Sequence, residues 1–309
     1  MILLGILSAQ GGAVLPGVSV AGYAAGGGSS STVDKFAFPA DTRSTLGTGL
    51  STNRSAGAGF ANSGIAGYVA GGSGTSSVDK FAFPADTRTT LGTGLTSGAD
   101  DLGGMSNSGV AGYVGFGVAT GFLFTGTIDK FAFPADTKST LGSTLSPVRR
   151  GIAGFANYGV GGYFAGGQRD GTAIYSTVEK LAFPSDTKTT LGTSLSSNRS
   201  WPGGFGNYNV AGYVAGGFDG SARTSSVDKY SFPSDTRSTL GTGLSGIRGN
   251  MPGFADAGIA GYFAGGFNDS TAVATVDKYS LPGDTRSTLG TGLSSANLNL
   301  SGFANEGVF

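Results

Sequence analysis

Cysteine and histidine are both absent from this 309-residue sequence. Without cysteine, the chain has no disulfide, no thiolate nucleophile and no cysteine-based metal site. Without histidine, it has no Ser-His-Asp triad and no imidazole metal ligand. Charge is also scarce, at 12% of residues, and 19 basic residues balance 19 acidic ones, which argues against a nucleic-acid-binding surface. These absences leave carboxylate, lysine or tyrosine chemistry, or binding without catalysis.

Glycine is the abundant residue, at 59 positions. A disordered chain usually combines low hydrophobicity with high net charge, whereas this chain is 39% hydrophobic with a formal net charge of zero. A glycine-rich globular fold is therefore expected.

An internal repeat accounts for most of the sequence. A Gly-Tyr pair recurs six times at spacings of 45 to 50 residues, and each copy is followed by a Val/Ile-Asp/Glu-Lys triplet. A Gly-Phe pair recurs five times, with its phenylalanine at Phe60, Phe155, Phe205, Phe254 and Phe303, and Met105 fills the matching position in the second copy. The tyrosines are Tyr23, Tyr68, Tyr113, Tyr163, Tyr213 and Tyr262. A fixed period of this length is typical of repeat architectures.

Each repeat divides into four short β-like runs and shows no 3.6-residue period. Strand a is GFA, strand b runs through GYVAGG, strand c is VDKFAFP and strand d is TLGTGL. Asn-Gly-type turns join strands a and b, and FPADT turns join strands c and d. Four strands in about 50 residues predict one propeller blade, so six copies predict an all-β, six-bladed β-propeller; another repetitive β architecture is the alternative.

The ends of the chain predict how the propeller closes. The repeat region begins at strand b and finishes at strand a, SGFANEGVF. The C-terminal strand a would therefore complete the blade begun by the N-terminal strands b, c and d, which removes the open sheet edge. The expected organisation is an N-terminal apolar segment, 1–17, followed by the propeller, 18–309.

The repeat resembles the kelch family. The shared features are a hydrophobic first strand, a second strand ending in Gly-Gly, a third with V-D-K-[FY], and an Arg just ahead of the first strand. The resemblance covers roughly residues 18–309 and lacks the Trp of the fourth kelch strand. The opening MILLGILSAQGGA is similar to the start of many virion proteins of tailed phages. The pattern GYxxGG…VDKxxFxxDTxxTLGTGLS resembles kelch-like proteins of aquatic phages, especially cyanophages, which implies a tail or fibre protein.

The N-terminal segment Met1–Gln10 is apolar, uncharged and too short to span a bilayer. It lacks the basic region of a signal peptide, and no membrane insertion is expected. Two interpretations stay open: a strand or cap covering one blade, and an anchor that docks into a partner chain. The docking candidates are Ile2, Leu3, Leu4, Ile6 and Leu7.

Recurring charges are expected to be structural, because a binding site does not need six copies. Arg54, Arg149, Arg199 and Arg248 share one position in four repeats and are expected to cap loops. The b–c and d–a loops leave the same face of a four-stranded antiparallel blade, and four of the b–c loops are longer than the others. This variation predicts a contact surface for a glycan or a protein. The candidate residues are Trp201, Arg150, Arg169, Arg223, Tyr175, Phe122 and Phe124.

No catalytic residue, metal site or cofactor is predicted, and the chain is not expected to be an enzyme. The only paired acids, Asp100 and Asp101, are adjacent in sequence and poorly suited to a glycosidase dyad. The expected function is that of a phage virion protein whose loops recognise a host surface glycan or protein, alongside other virion structural proteins. A purely structural decoration or assembly subunit and a cellular surface lectin stay open as alternatives, as does homo-oligomer formation.

Overall fold

A computed structural model describes residues 21–170 and 173–305, with the side chain of Phe116 excepted. Within these residues the chain is all β and contains no helix. Six four-stranded antiparallel sheets form the blades of a β-propeller, as predicted. No helix of the described residues is long and apolar enough to cross a membrane. Segment 1–17 and its docking candidates, Ile2, Leu3, Leu4, Ile6 and Leu7, lie outside the described residues.

The strands occupy equivalent positions in blades 1 to 6. Strand a, the innermost, spans Ser301–Ala304, Ala58–Asn62, Gly103–Asn107, Ala153–Asn157, Gly203–Asn207 and Gly253–Asp256. Strand b spans Ala21–Ala25, Ala66–Ala70, Ala111–Ala119, Gly161–Ala165, Ala211–Ala215 and Ala260–Ala264. Strand c spans Val33–Ala37, Val78–Ala82, Leu123–Ala132, Val178–Ala182, Val227–Ser231 and Val276–Ser280. Strand d, the outermost, spans Thr42–Thr45, Thr87–Thr90, Thr137–Thr140, Thr187–Thr190, Thr236–Thr239 and Thr285–Thr288. Three short strands lie outside this plan: Ala99–Asp100, Gln168–Arg169 and Ala173–Ile174.

Blade 1 contains both ends of the described chain, which confirms the predicted closure. Its strand a comes from the C-terminal region and pairs with the N-terminal strand b, with Phe303 opposite Tyr23. The rings of these two residues stack with their centroids 4.7 Å apart.

The predicted position of strand d was wrong. The strand is the TRST segment, Thr42–Thr45 in blade 1, and only its last threonine belongs to the predicted TLGTGL run. The rest of that run folds back over the b–c loop, where Leu50 donates its N–H to the carbonyl of Ser31 and becomes buried. A Cβ at Gly49 would overlap the same carbonyl, so glycine permits this close crossing.

Glycines of the six innermost strands surround the propeller axis. A Cβ on any one of them would overlap the backbone of the corresponding glycine in the neighbouring blade, and these contacts form a closed circuit. The six residues are Gly59, Gly104, Gly154, Gly204, Gly253 and Gly302. A small side chain at this position therefore lets the blades converge on the axis.

The Gly-Tyr pair has a related explanation. The glycine leaves room for the Phe of strand a in the preceding blade. A Cβ at Gly67, for example, would overlap the ring of Phe303. In blade 4 the equivalent Gly162 faces Met105, the residue that replaces Phe in the repeat.

The recurring tyrosine and lysine join each blade to the next. Tyr23 donates its hydroxyl to Oδ1 of Asp86 at 2.7 Å, and Lys35 Nζ lies 2.6 Å from Oδ2 of the same carboxylate. The remaining five interfaces use the same arrangement. Their acceptors are Asp136, Asp186, Asp235, Asp284 and Asp41.

The acid of the Val-Asp-Lys triplet joins strand c to strand d and to the preceding d–a loop. In blade 2, Asp79 accepts hydrogen bonds from Thr90 of strand d, from Ser51 and from the buried guanidinium of Arg54. Arg149, Arg199 and Arg248 form the corresponding ion pairs in blades 4, 5 and 6. These arginines are therefore structural, as predicted.

Candidate functional site

The two faces of the propeller differ in regularity. We call the face formed by the a–b and c–d turns the turn face, and the face formed by the b–c and d–a loops the loop face. On the loop face, blades 3 to 6 carry the longer b–c connections. In blade 3 the added residues lengthen the b–c hairpin, because strand b extends to Ala119 and strand c begins at Leu123.

Six residues of the d–a loops surround the axial opening on the loop face. Each has a left-handed backbone, with φ between 53° and 63°. Five of their N–H groups donate to the carbonyl of the neighbouring member at 2.7 to 3.0 Å, and Leu102 N–H closes the circle to Ala56 at 3.3 Å. We call this set the mouth ring: Ala56, Asp101, Gly151, Trp201, Asn250 and Asn299.

Trp201, the only tryptophan, lies across part of this opening. Its indole covers Gly151, where an added Cβ would come within 2.7 Å of the ring. Its Nε1 donates to Oδ1 of Asp101 at 3.1 Å. The Trp201 side chain therefore extends from its own backbone in the mouth ring, over Gly151, to Asp101.

The guanidinium of Arg150 packs against the Trp201 ring. Its guanidinium carbon lies 5.6 Å from the Trp201 ring centroid and 5.9 Å from that of Phe124, and one of its terminal nitrogens lies 3.4 Å from Oδ2 of Asp101. Such cation–π contacts favour a partly desolvated guanidinium. Among the described atoms, Nε of Arg150 is buried without a hydrogen-bond partner.

Asp101 is the partly buried acid of this group. Burial raises the pKa of its carboxyl above the ordinary value, while the Trp201 hydrogen bond and the Arg150 charge oppose the rise and the neighbouring Asp100 adds to it. The sequence identified Asp101 as one of a pair of adjacent acids, but its contact with Trp201, 100 residues away, was missed.

A second cluster surrounds Arg223. Its guanidinium carbon lies 4.5 Å from the ring centroid of Phe267 and 5.6 Å from that of Phe218. Its terminal nitrogens donate to Asp269 at 2.6 Å and to Asn250 Oδ1 at 3.1 Å. The backbone and side chain of Arg223 lower the pKa of Asp269 through these hydrogen bonds.

The Arg223 cluster joins the mouth ring through its asparagines. Asn250 Nδ2 donates to Oδ1 of Asn299 at 2.7 Å. Neither asparagine belongs to a sequence motif. Only the fact that both occupy the same repeat position as Trp201 could have marked them as candidates.

The other candidate residues do not join these clusters. Arg169 pairs with its neighbour Asp170 on an exposed hairpin. Tyr175 lies under the buried Arg149, whose guanidinium carbon is 5.9 Å from its ring. Phe122 is 88% exposed at the tip of the blade 3 hairpin, next to Leu123 at 69%. The structure therefore brings together Trp201, Arg150 and Phe124, places Arg223 in a second group, and separates the rest.

Two small cavities follow the axis. One, of about 80 Å³, is lined by the innermost strands of all six blades. The other, of about 60 Å³, is lined by the mouth ring and by Leu102, Ile152 and their counterparts. Within the described residues, no group of three or more carboxylates could hold a metal ion.

Comparison with known proteins supports the fold. No protein-family model and no curated protein sequence matches the chain. Among solved structures, the chain is similar to YjhT, with a TM-score of 0.66 and 16% sequence identity over 81% of this chain and 87% of that one. At this identity the similarity concerns the architecture, and the chain is a six-bladed β-propeller.

Proposed function

We propose that this chain is a non-enzymatic virion protein of a tailed phage, a tail or fibre propeller that presents its loop face to the host surface. Its partners would be other virion structural proteins and a glycan or protein of the host, and its location the extracellular particle. The kelch-like and phage-like sequence patterns support this proposal, together with the geometry of the loop face.

One observation carries the proposal: the six repeats are similar in sequence, yet the loop face differs from blade to blade. The Arg150 cluster and the Arg223 cluster are unlike each other, and blades 1 and 2 have neither. The structural Tyr–Asp–Lys contacts, by contrast, repeat at all six interfaces between blades. Differences between repeats that are confined to one face are typical of a rigid scaffold with a recognition surface.

The chemistry of the face favours a ligand with polar or anionic groups. Both arginines are held against aromatic rings. A guanidinium fixed in this way is suited to carboxylate or phosphate groups and to sugar hydroxyls.

A structural role in a capsid, tail or filament is the second candidate. The exposed tip of the blade 3 hairpin, Phe122 and Leu123, favours it, because apolar tips of this kind pack against neighbouring subunits.

Binding of the full chain to a glycan array and to host cells tests the proposal. We expect specific binding that Arg150→Ala or Arg223→Ala abolishes and that Arg88→Ala, a matched change on the outer strand of blade 2, leaves intact. No binding by the parent chain, together with loss of particle assembly in Phe122→Ser, would instead support the structural role.

A further inference from the structure

The a–b turns of the turn face carry an unexpected set of apolar side chains. The residue after the left-handed turn residue is Val or Ile in every described copy, and each is 39% to 50% exposed. Turn positions facing water are usually polar. We call this set the apolar ring: Ile65, Val110, Val160, Val210 and Ile259. The sixth copy has Val308, which lies outside the described residues.

The a–b turns that carry the apolar ring are hydrogen-bonded to each other. Gly109 N–H donates to Oδ1 of Asn62 at 2.9 Å, and Gly159 N–H donates to Oδ1 of Asn107 at 3.0 Å. The same contact recurs around the axis. The apolar side chains therefore stand on adjoining turns around the axis.

The chain joins the propeller beside this surface. Its first described residue, Ala21, accepts a hydrogen bond from Asn305 at 3.0 Å, and Asn305 in turn accepts one from Gly64, the residue before Ile65. The segment that precedes Ala21 therefore starts at the turn face, next to a member of the apolar ring.

That segment has a matching composition. Residues 1–33 contain no charged side chain, and Met1–Gln10 includes Ile2, Leu3, Leu4, Ile6 and Leu7. The ten residues between Gln10 and Ala21 can extend over about 33 Å, which lets the first ten residues reach across the turn face. A segment attached this close also has a high effective concentration at the surface.

We propose that the apolar ring is the docking surface for the chain's own N-terminal segment, Met1–Gln10. Burial of these apolar groups against the ring removes both from water. The turn face is then covered by the chain itself, and the loop face is the one left for other molecules. This inference does not depend on the proposed function.

Thiol labelling tests the docking, because the chain has no natural cysteine. Ile65 on the turn face and Ile247 on the loop face are both 44% exposed, so they form a matched pair. In the full chain, we expect maleimide to label Ile65→Cys about tenfold more slowly than Ile247→Cys, as for a surface covered nine-tenths of the time.

Replacing Ile2, Leu3, Leu4, Ile6 and Leu7 together by serine in both cysteine variants completes the test. The labelling rate at position 65 should then rise about tenfold to that at position 247, which should not change. Equal rates at the two positions in the parent chain would overturn the proposal. Protection at position 65 that appears only as the protein concentration rises would also overturn it, because a second copy would then supply the segment.

Discussion

Lys278 Nζ in blade 6 lies 2.6 Å from Oδ2 of Asp41 in blade 1, and this ion pair joins the last blade to the first. Tyr262 donates its hydroxyl to the other oxygen of the same carboxylate at 2.6 Å. The closing interface therefore has the same contacts as the five interfaces between consecutive blades.

This equivalence predicts the effect of removing one hydroxyl. Tyr262→Phe should lower the free energy of unfolding by about 1.5–3 kcal/mol, the contribution of a hydrogen bond to a charged group. Tyr213→Phe, its counterpart at the interface of blades 5 and 6, should have the same effect. Urea unfolding measures both. If only Tyr213→Phe destabilised the protein, the closing interface would be open in solution.

Alkaline pH should unfold the propeller. Burial, and then the hydrogen bond to Asp, raises the pKa of each interface tyrosine well above its ordinary value near 10. The folded state therefore holds these protons more tightly than the unfolded state. The stability that the tyrosines contribute is fully present below pH 10 and is lost as the pH rises above it. Absorbance at 295 nm and circular dichroism should change together. Full titration near pH 10 with the fold intact would contradict this expectation.

The axial glycines should tolerate no side chain. A Cβ at Gly104 would overlap the carbonyl oxygen of Gly59, and backbone on both sides limits relaxation. Gly104→Ala should reduce the unfolding free energy by about 3 kcal/mol or more. Gly192→Ala is the control, since no atom lies within 4 Å of its Cβ, and it should change stability by less than about 0.5 kcal/mol. Equal denaturation midpoints for the two variants would be inconsistent with the close approach of the blades.

The buried Arg199–Asp228 pair should behave as a unit. Both side chains are fully buried, so Arg199→Met leaves the Asp228 carboxylate with only Arg237, at 3.5 Å, as a cationic partner and should cost about 3 kcal/mol. Adding Asp228→Leu should recover part of this loss, because the buried charge is then gone. A double-mutant cycle by urea unfolding measures the coupling. Additive losses would mean that the two residues act independently.

Trp201 should report the protonation of Asp101. Burial raises the pKa of Asp101, so the folded state favours the protonated carboxyl, and the stabilisation from this preference decreases as pH rises through the raised pKa. Because the chain has one tryptophan, its fluorescence should titrate with a midpoint above 3.8, and Asp101→Asn should abolish the transition. A transition that persisted in Asp101→Asn would assign it to another group.

The sequence by itself determined the repeat, the number of blades and the closure of the propeller. The repeat and the number of blades follow from local signals that recur six times, turn residues and short alternating strands. The closure follows from a repeat region that starts at strand b and finishes at strand a. It also identified Arg54 and its three equivalents as structural, because a residue that repeats in register has the same surroundings in every blade.

Only the tertiary structure decided which loop residues meet. The sequence placed strand d at TLGTGL, although the strand is TRST, because the crossing of Gly49 over Ser31 is a contact between separate segments. It indicated Trp201 and Arg150 but not their contact with Asp101, since the mouth ring is formed by residues about 50 positions apart that converge at the axis. Such proximity depends on how the blades pack around the axis, and no local pattern encodes it.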